Sequence, residues 1–402
     1  TSSFLDDLKI RASVGLLGND NVSAFSYLST YSFGSQLPLN GGLNNAMYTS
    51  VIANPNLSWE KTLSYNAGFD ASLWKGRLIA EFDVFYTYTY DILMSMSSGY
   101  PPSMGGYYFT YENFGKTDSK GFELLLKHQN TVKLGGKVLR YTIAPNVSYA
   151  TAKWLRYNDS PNAPEMQKVS GKKTGIISGW VADGLFRSEK EIDESAWYGS
   201  RPNLGDIKYK DLNGDGKIDY QDRGLIGRPN RPELMYGLNL GASWNGFDIN
   251  AQFTGGALFD VSLTGTYYNG YDDNTIWTQT FKEGANSPLF LVENAYSIDN
   301  PNGTFPRITL SSTTHGGDNG LASTFWFRNG TYVRLKSAQL GYSIPESLTR
   351  RMGITRLRVF IEGSNIFTIS GLPAGVDPES PRVNNGYYPQ QKIFTGGVTL
   401  TF

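Results

Sequence analysis

Between Leu63 and Asp91 the chain alternates apolar and polar residues in two long runs joined at Lys75-Gly76. Leu63, Tyr65, Ala67, Phe69, Ala71 and Leu73 share one face of the first run, and Ser64, Asn66, Gly68, Asp70 and Ser72 the other. After the turn, Leu78, Ala80, Phe82, Val84, Tyr86, Tyr88 and Tyr90 oppose Glu81, Asp83, Thr87, Thr89 and Asp91. Successive side chains of a strand point to opposite faces, so each run builds one apolar wall and one polar wall. Both runs exceed the usual strand of about five to six residues. Long two-faced strands with aromatic ends suit an up-and-down transmembrane β-barrel, with lipid outside and water inside.

The same period recurs in about ten segments, predicting strands at 5–18, 58–74, 77–92, 113–129, 137–154, 233–245, 247–257, 330–344, 355–367 and 390–402. Their connections alternate in length. Short ones fall at Lys75-Gly76, Thr131–Gly136, Asn245-Gly246 and Pro345–Ile354; long ones cover Asn19–Leu57, Leu93–Glu112, Leu155–Pro232, Phe259–Asn329 and Thr368–Pro389. All long loops therefore emerge at one end, as extracellular loops do in such a barrel. Asn-Gly tolerates the positive φ that a two-residue type I′ turn needs, so Asn245-Gly246 predicts a tight hairpin. The alternation in 330–344 slips between Lys336 and Ala338. Val398, Leu400 and Phe402 share an apolar face on the last strand, and a terminal aromatic there resembles an outer-membrane assembly signal. The opening TSSFLDDLKIRASVG carries neither a starter methionine nor a signal peptide and enters a strand at once. We read the chain as the C-terminal part of a longer protein.

Composition agrees with this reading. A single packed core rarely grows beyond about 250–300 residues, whereas the chain has 402. No run approaches the ~18 apolar residues of a transmembrane helix. A net charge of zero gives no reason to expect nucleic acid. The absence of cysteine fits an oxidising compartment.

One motif carries specific chemistry. Asp211, Asn213, Asp215, Asp219 and Asp222 place oxygen side chains at positions 1, 3, 5, 9 and 12 of a calcium-type loop, with Lys217 offering its backbone carbonyl. Ca²⁺ would staple the loop 155–232; the alternative is an Asp/Asn/Gly-rich turn without metal. Tyr107, Tyr108, Tyr267, Tyr268, Tyr271 and Trp277 are candidate ligand-stacking aromatics, or packing groups for their own loops. His128 and His315 are too far apart in sequence to suggest a shared site, and acids such as Asp272-Asp273 or Glu191, Asp193 and Glu194 read as solvated loop residues. Ser188 with Glu191 predicts a capped helix over Ser188–Ala196.

Several stretches resemble the SusC/RagA family of TonB-dependent outer-membrane transporters. They include Asn113-Phe114-Gly115-Lys116, Lys120-Gly121-Phe122-Glu123, Gly205-Asp206-Ile207-Lys208-Tyr209, Tyr332-Val333-Arg334-Leu335-Lys336, Ser364-Asn365-Ile366-Phe367 and Gly375-Val376-Asp377-Pro378-Glu379. The resemblance runs in order along nearly the whole chain. It implies a plugged barrel of about 22 strands in the cell outer membrane, and import of a glycan, oligosaccharide or peptide. It also implies a SusD-like surface lipoprotein as lid and energy from the TonB complex through a plug that this chain lacks. No enzyme activity is expected. A secreted, calcium-stabilised carbohydrate-binding or adhesin β-protein is the alternative; a glycan hydrolase is the third reading.

Overall fold

The computed structural model describes residues 4–20, 27–39, 41–49, 54–96, 103, 111–263, 289–309, 319–380 and 390–402. Ten long strands pair in sequence order as one antiparallel sheet. They are β1 (Leu5–Asn19), β2 (Glu60–Leu73), β3 (Leu78–Ser95), β4 (Tyr111–Leu134), β5 (Lys137–Arg156), β6 (Leu234–Trp244), β7 (Phe247–Ala257), β8 (Tyr332–Ile344), β9 (Arg356–Ser370) and β10 (Ile393–Thr401). Each coincides with a strand predicted from alternation.

The register shows why. Ala12, Ala67, Val84, Phe122, Tyr149, Leu234 and Ala257 lie in one cross-strand row, apolar throughout. One residue away, Arg11, Gly68, Asp83, Glu123 and Ser148 form a row on the opposite face. A slip of one residue between any two strands would mix these rows, so the pattern fixes the pairing. The apolar face remains uncovered: Val84 is 42 % and Ile361 64 % exposed. That is stable where the surrounding solvent is hydrocarbon.

The short turns are tight. Asn245 and Gly246 both have positive φ, 48° and 90°, as the type I′ geometry requires. The expected connection Thr131–Gly136 is shorter than the sequence suggested. Thr131 to Leu134 stay paired with Arg140 to Lys137, and only Gly135 and Gly136 turn. β3 likewise runs past its expected end to Ser95, through an irregularity at Asp91, where φ is +58°. Pro345–Ile354 forms a short helix, Glu346–Thr349, followed by a 3₁₀ turn.

The long connections carry structure of their own. A hairpin of Tyr31–Leu39 with Gly42–Thr49 occupies the first; alternation there is interrupted by a register shift between Phe33 and Gln36 and was not legible. Connections 155–232 and 259–329 contain three small sheets. Their buried residues form a common core, including Trp180, Ile207, Ile218, Phe259, Leu291, Phe305 and Trp326. We call this unit the head.

Candidate functional site

On the inner face of the sheet, charges are paired across strands. Arg11 on β1 donates to Asp70 and to Asp83, each at 2.8 Å, although Asp83 lies two strands away. Gly68 stands between them in the register, and a Cβ there would collide with the Asp83 carboxylate. The same device recurs at the other end of the sheet. Arg358 on β9 reaches over Gly341 on β8 to Asp248 on β7, at 2.9 and 2.5 Å, and also donates to Gln339. At Gly341 the Arg358 guanidinium occupies the volume of a side chain, and at Gly68 the Asp83 carboxylate shares it with the Phe82 carbonyl. Asn66, Asp70, Glu81, Asp83, Asn239, Arg358 and Glu362 all fall on this polar face, opposite Leu63, Tyr65, Phe69, Leu78, Phe82, Val84, Leu238, Leu240, Val359 and Ile361. Toward the short turns the polar face forms an open recess of about 660 Å³, lined by Arg77, Gln129, Arg140, Thr142, Asp248 and Asn250.

The head is joined by a buried ion pair. Asp206, fully buried, accepts from Arg307 at 2.7 Å, from Asn319 Nδ2 at 3.0 Å and from the Asn203 N–H at 2.8 Å. Asn319 Oδ1 in turn accepts from the Ile207 N–H. One carboxylate from the first loop thus organises two side chains from the second, a partnership across 101 and 113 residues that periodicity does not reveal. The capped helix is present as Glu189–Glu194: Ser188 Oγ accepts from the Glu191 N–H, while Glu191 returns to the N–H of Arg187. Glu191 is held below the usual carboxylate range mainly by its bond from Lys208, with the Arg187 N–H adding to it.

The calcium-type loop is built on its own backbone. Asp211 accepts from the N–H groups of Gly214 and Gly216 at 2.6 and 2.8 Å, Asn213 from Asp215, Asp215 from Lys217, and Asp219 from Gln221. Asp222, fully buried, accepts from Leu212 and Asp219. Ile218 at position 8 enters the head core, and the indole N–H of Trp180 donates to the Asp219 carbonyl. Among the described residues no three His, Asp or Glu side chains are gathered as a metal cluster. The donor set is nonetheless chemically suited to a hard cation. Every side-chain ligand is an oxygen, and the carboxylates of Asp211, Asp215 and Asp219, exposed or half-buried, retain lone pairs for a cation. Buried Asp222, by contrast, already accepts three backbone N–H groups.

Tyr107, Tyr108, Tyr267, Tyr268, Tyr271 and Trp277 lie outside the described residues, as do Asp272, Asp273 and His315. His128 is in β4 beside Tyr141, away from the head.

Comparison with known proteins agrees with this architecture. Residues 4–366 match the family model "TonB dependent receptor-like, beta-barrel". TonB-dependent receptor P3 of Formosa agariphila is 26 % identical over 429 residues, covering 100 % of this chain and 40 % of the relative. TonB-dependent receptor SusC of Bacteroides thetaiotaomicron is 26 % identical over 413 residues, covering 99 % of this chain and 38 % of its own length. The chain therefore spans about two fifths of these curated relatives. The RagAB peptide transporter structure superposes over 100 % of the chain and 42 % of its own, with a TM-score of 0.69 at 22 % identity. The RagAB peptide importer in its open-open state gives a TM-score of 0.70. The chain belongs to the TonB-dependent receptor β-barrel family, outer-membrane receptors and transporters rather than enzymes.

Proposed function

We propose that this chain supplies wall and extracellular head to an outer-membrane importer of large nutrients. The observation that carries the reading is the two-sided wall: a lipid-compatible outer face, a polar inner face with paired charges, and a folded head at one end only. A closed barrel is the way such a sheet satisfies its edges in a membrane. Within that barrel the inner face lines the passage and the head forms its vestibule. The cargo is an oligosaccharide, glycan or peptide; of the similar proteins, RagAB is a peptide transporter. A SusD-like surface lipoprotein closes over the head, and the TonB complex drives transport through a plug.

Calcium belongs to the same proposal. Asp211, Asn213, Asp215, Asp219 and Asp222, with the Lys217 carbonyl, would hold Ca²⁺ and stiffen the loop that carries Ile218 into the head.

The test is uptake by whole cells expressing the full-length protein, offered labelled oligosaccharide and peptide mixtures separately. One class should accumulate, and an uncoupler that collapses the proton gradient should abolish it. Accumulation that survives the uncoupler, or none with either class while the protein is correctly inserted, would sink the import reading.

A further inference from the structure

β8 does not keep strict alternation. Its lower half directs Ala338, Leu340 and Tyr342 outward, in register with Ala251, Ile249 and Phe247. Unbroken alternation would carry Lys336, Arg334 and Tyr332 to the lipid side as well. Instead the register shifts between Leu335 and Ser337 on both neighbouring strands, with Asn365 of β9 at a φ of +51°. A β-bulge re-aims the side chains beyond it. Leu335 takes the outer face beside Phe253 and Phe367, and Arg334 turns inward beside Thr254 and Thr368.

There Arg334 is nearly fully buried and uses its whole guanidinium. Nε donates to Thr368 Oγ1 at 2.8 Å, Nη1 to Glu379 at 2.7 Å and Gln390 at 2.8 Å, and Nη2 to Asp377 at 2.7 Å. Lys336, at the bulge itself, donates to Glu379 at 2.9 Å. Asp377 and Glu379 belong to the segment after β9, which must therefore fold toward the inner face. Between Pro373 and Asp377, Val376 enters the head core with Phe259, Trp326 and Tyr332. One short stretch is thus held to the wall by charge and to the head by apolar packing.

We propose that residues 371–380 form an inward strap at the mouth of the barrel, latched by Arg334, and that this latch seats the head on the wall. The bulge exists to bring the latch to the inner face. Two carboxylates share two cations, so the cluster is neutral and closes without external ions. Opening it frees Asp377 and Glu379 together and with them Val376, which loosens the head at its base. The strap is then the part of the mouth that must move when the head shifts against the wall.

Hydrogen exchange on the full-length protein in detergent tests this. Arg334→Gln, and independently the milder Asp377→Asn, should raise exchange about tenfold or more in 372–380. The rise should extend to the head strands Asp260–Ser262 and Phe327–Asn329, with β6 and β7 up to Gly255 unchanged. A rise confined to 372–380 would overturn the seating role, and no rise in either variant would overturn the latch. Should Arg334→Gln fail to insert, Asp377→Asn decides alone. No nutrient enters the measurement, so its failure is distinguishable from failure of the import reading.

Discussion

The wall and the head solve opposite solvation problems with the same residue types. In the wall, few side chains are buried (Ala71, Ala80 and Ala144 among them) and the large apolar groups face outward. In the head, Trp326, Phe259 and Leu291 are almost fully buried, as in any protein folded in water. Several arginines follow the same contrast, while Arg307 of the head pairs with the Asp206 carboxylate as the wall arginines do with theirs. Arg11, Arg334 and Arg358 of the wall each meet carboxylates. In the head, Arg187, Arg223 and Arg328 donate to main-chain carbonyls and lie over the rings of Tyr296, Trp180 and Phe305. The wall neutralises its cations across a polar lumen, whereas the head seats several of its cations on loop ends and aromatic faces. The difference teaches that the two regions should fail separately.

Trp326→Ala should give the largest effect. The indole is fully buried and donates to the Asn319 carbonyl at 2.8 Å, and such truncations cost roughly 3–5 kcal/mol. The head should become protease-sensitive while the barrel still inserts and keeps its heat-modifiable mobility on gels. Failure to insert would mean that wall and head form one cooperative unit.

Val84→Arg attacks the wall instead. A midplane arginine on the lipid face costs about 2–4 kcal/mol, so insertion should fall sharply. Gln252→Arg, on the inner face and exposed to the lumen, should insert almost normally. Asp83→Arg is a poor control, because it would also set a second cation against Arg11. Equal insertion of the Val84 and Gln252 variants would reverse the assigned faces.

Legibility followed the same division. All ten wall strands were readable, because a period of two with lipid on one side leaves little freedom in face or register. Even the slip near Lys336 was visible, and it is the bulge. What it does was not visible, since Arg334 finds Asp377 and Glu379 at separations of 43 and 45 residues. The head was harder still. Its strands are three or four residues long and its joint is Asp206 with Arg307, so neither periodicity nor spacing marks it. Ser188, which acts on the N–H three residues ahead, was readable because capping is local.

The smallest expected effect sharpens the boundary between these regimes, because the loop Asp211–Asp222 is local in sequence yet serves the head. Asp211 is held below the usual carboxylate range chiefly by the Gly216 N–H, with Gly214 and Asp215 helping against desolvation. A depressed carboxyl stabilises the fold at pH above its unfolded value of about 3.9. That contribution is lost as pH falls through the lower folded value. Proteolysis within 155–232 should therefore increase in acid, and Asp211→Ala should show the increase already at neutral pH. A chelator added at neutral pH asks the separate question of metal. If Ca²⁺ binds, the wild type should become cleavable in this loop and Asp211→Ala should change little further. If chelation leaves the wild type intact while Asp211→Ala is cut, the backbone N–H groups alone hold the loop. In that case the motif is a turn that positions Ile218, not a metal site.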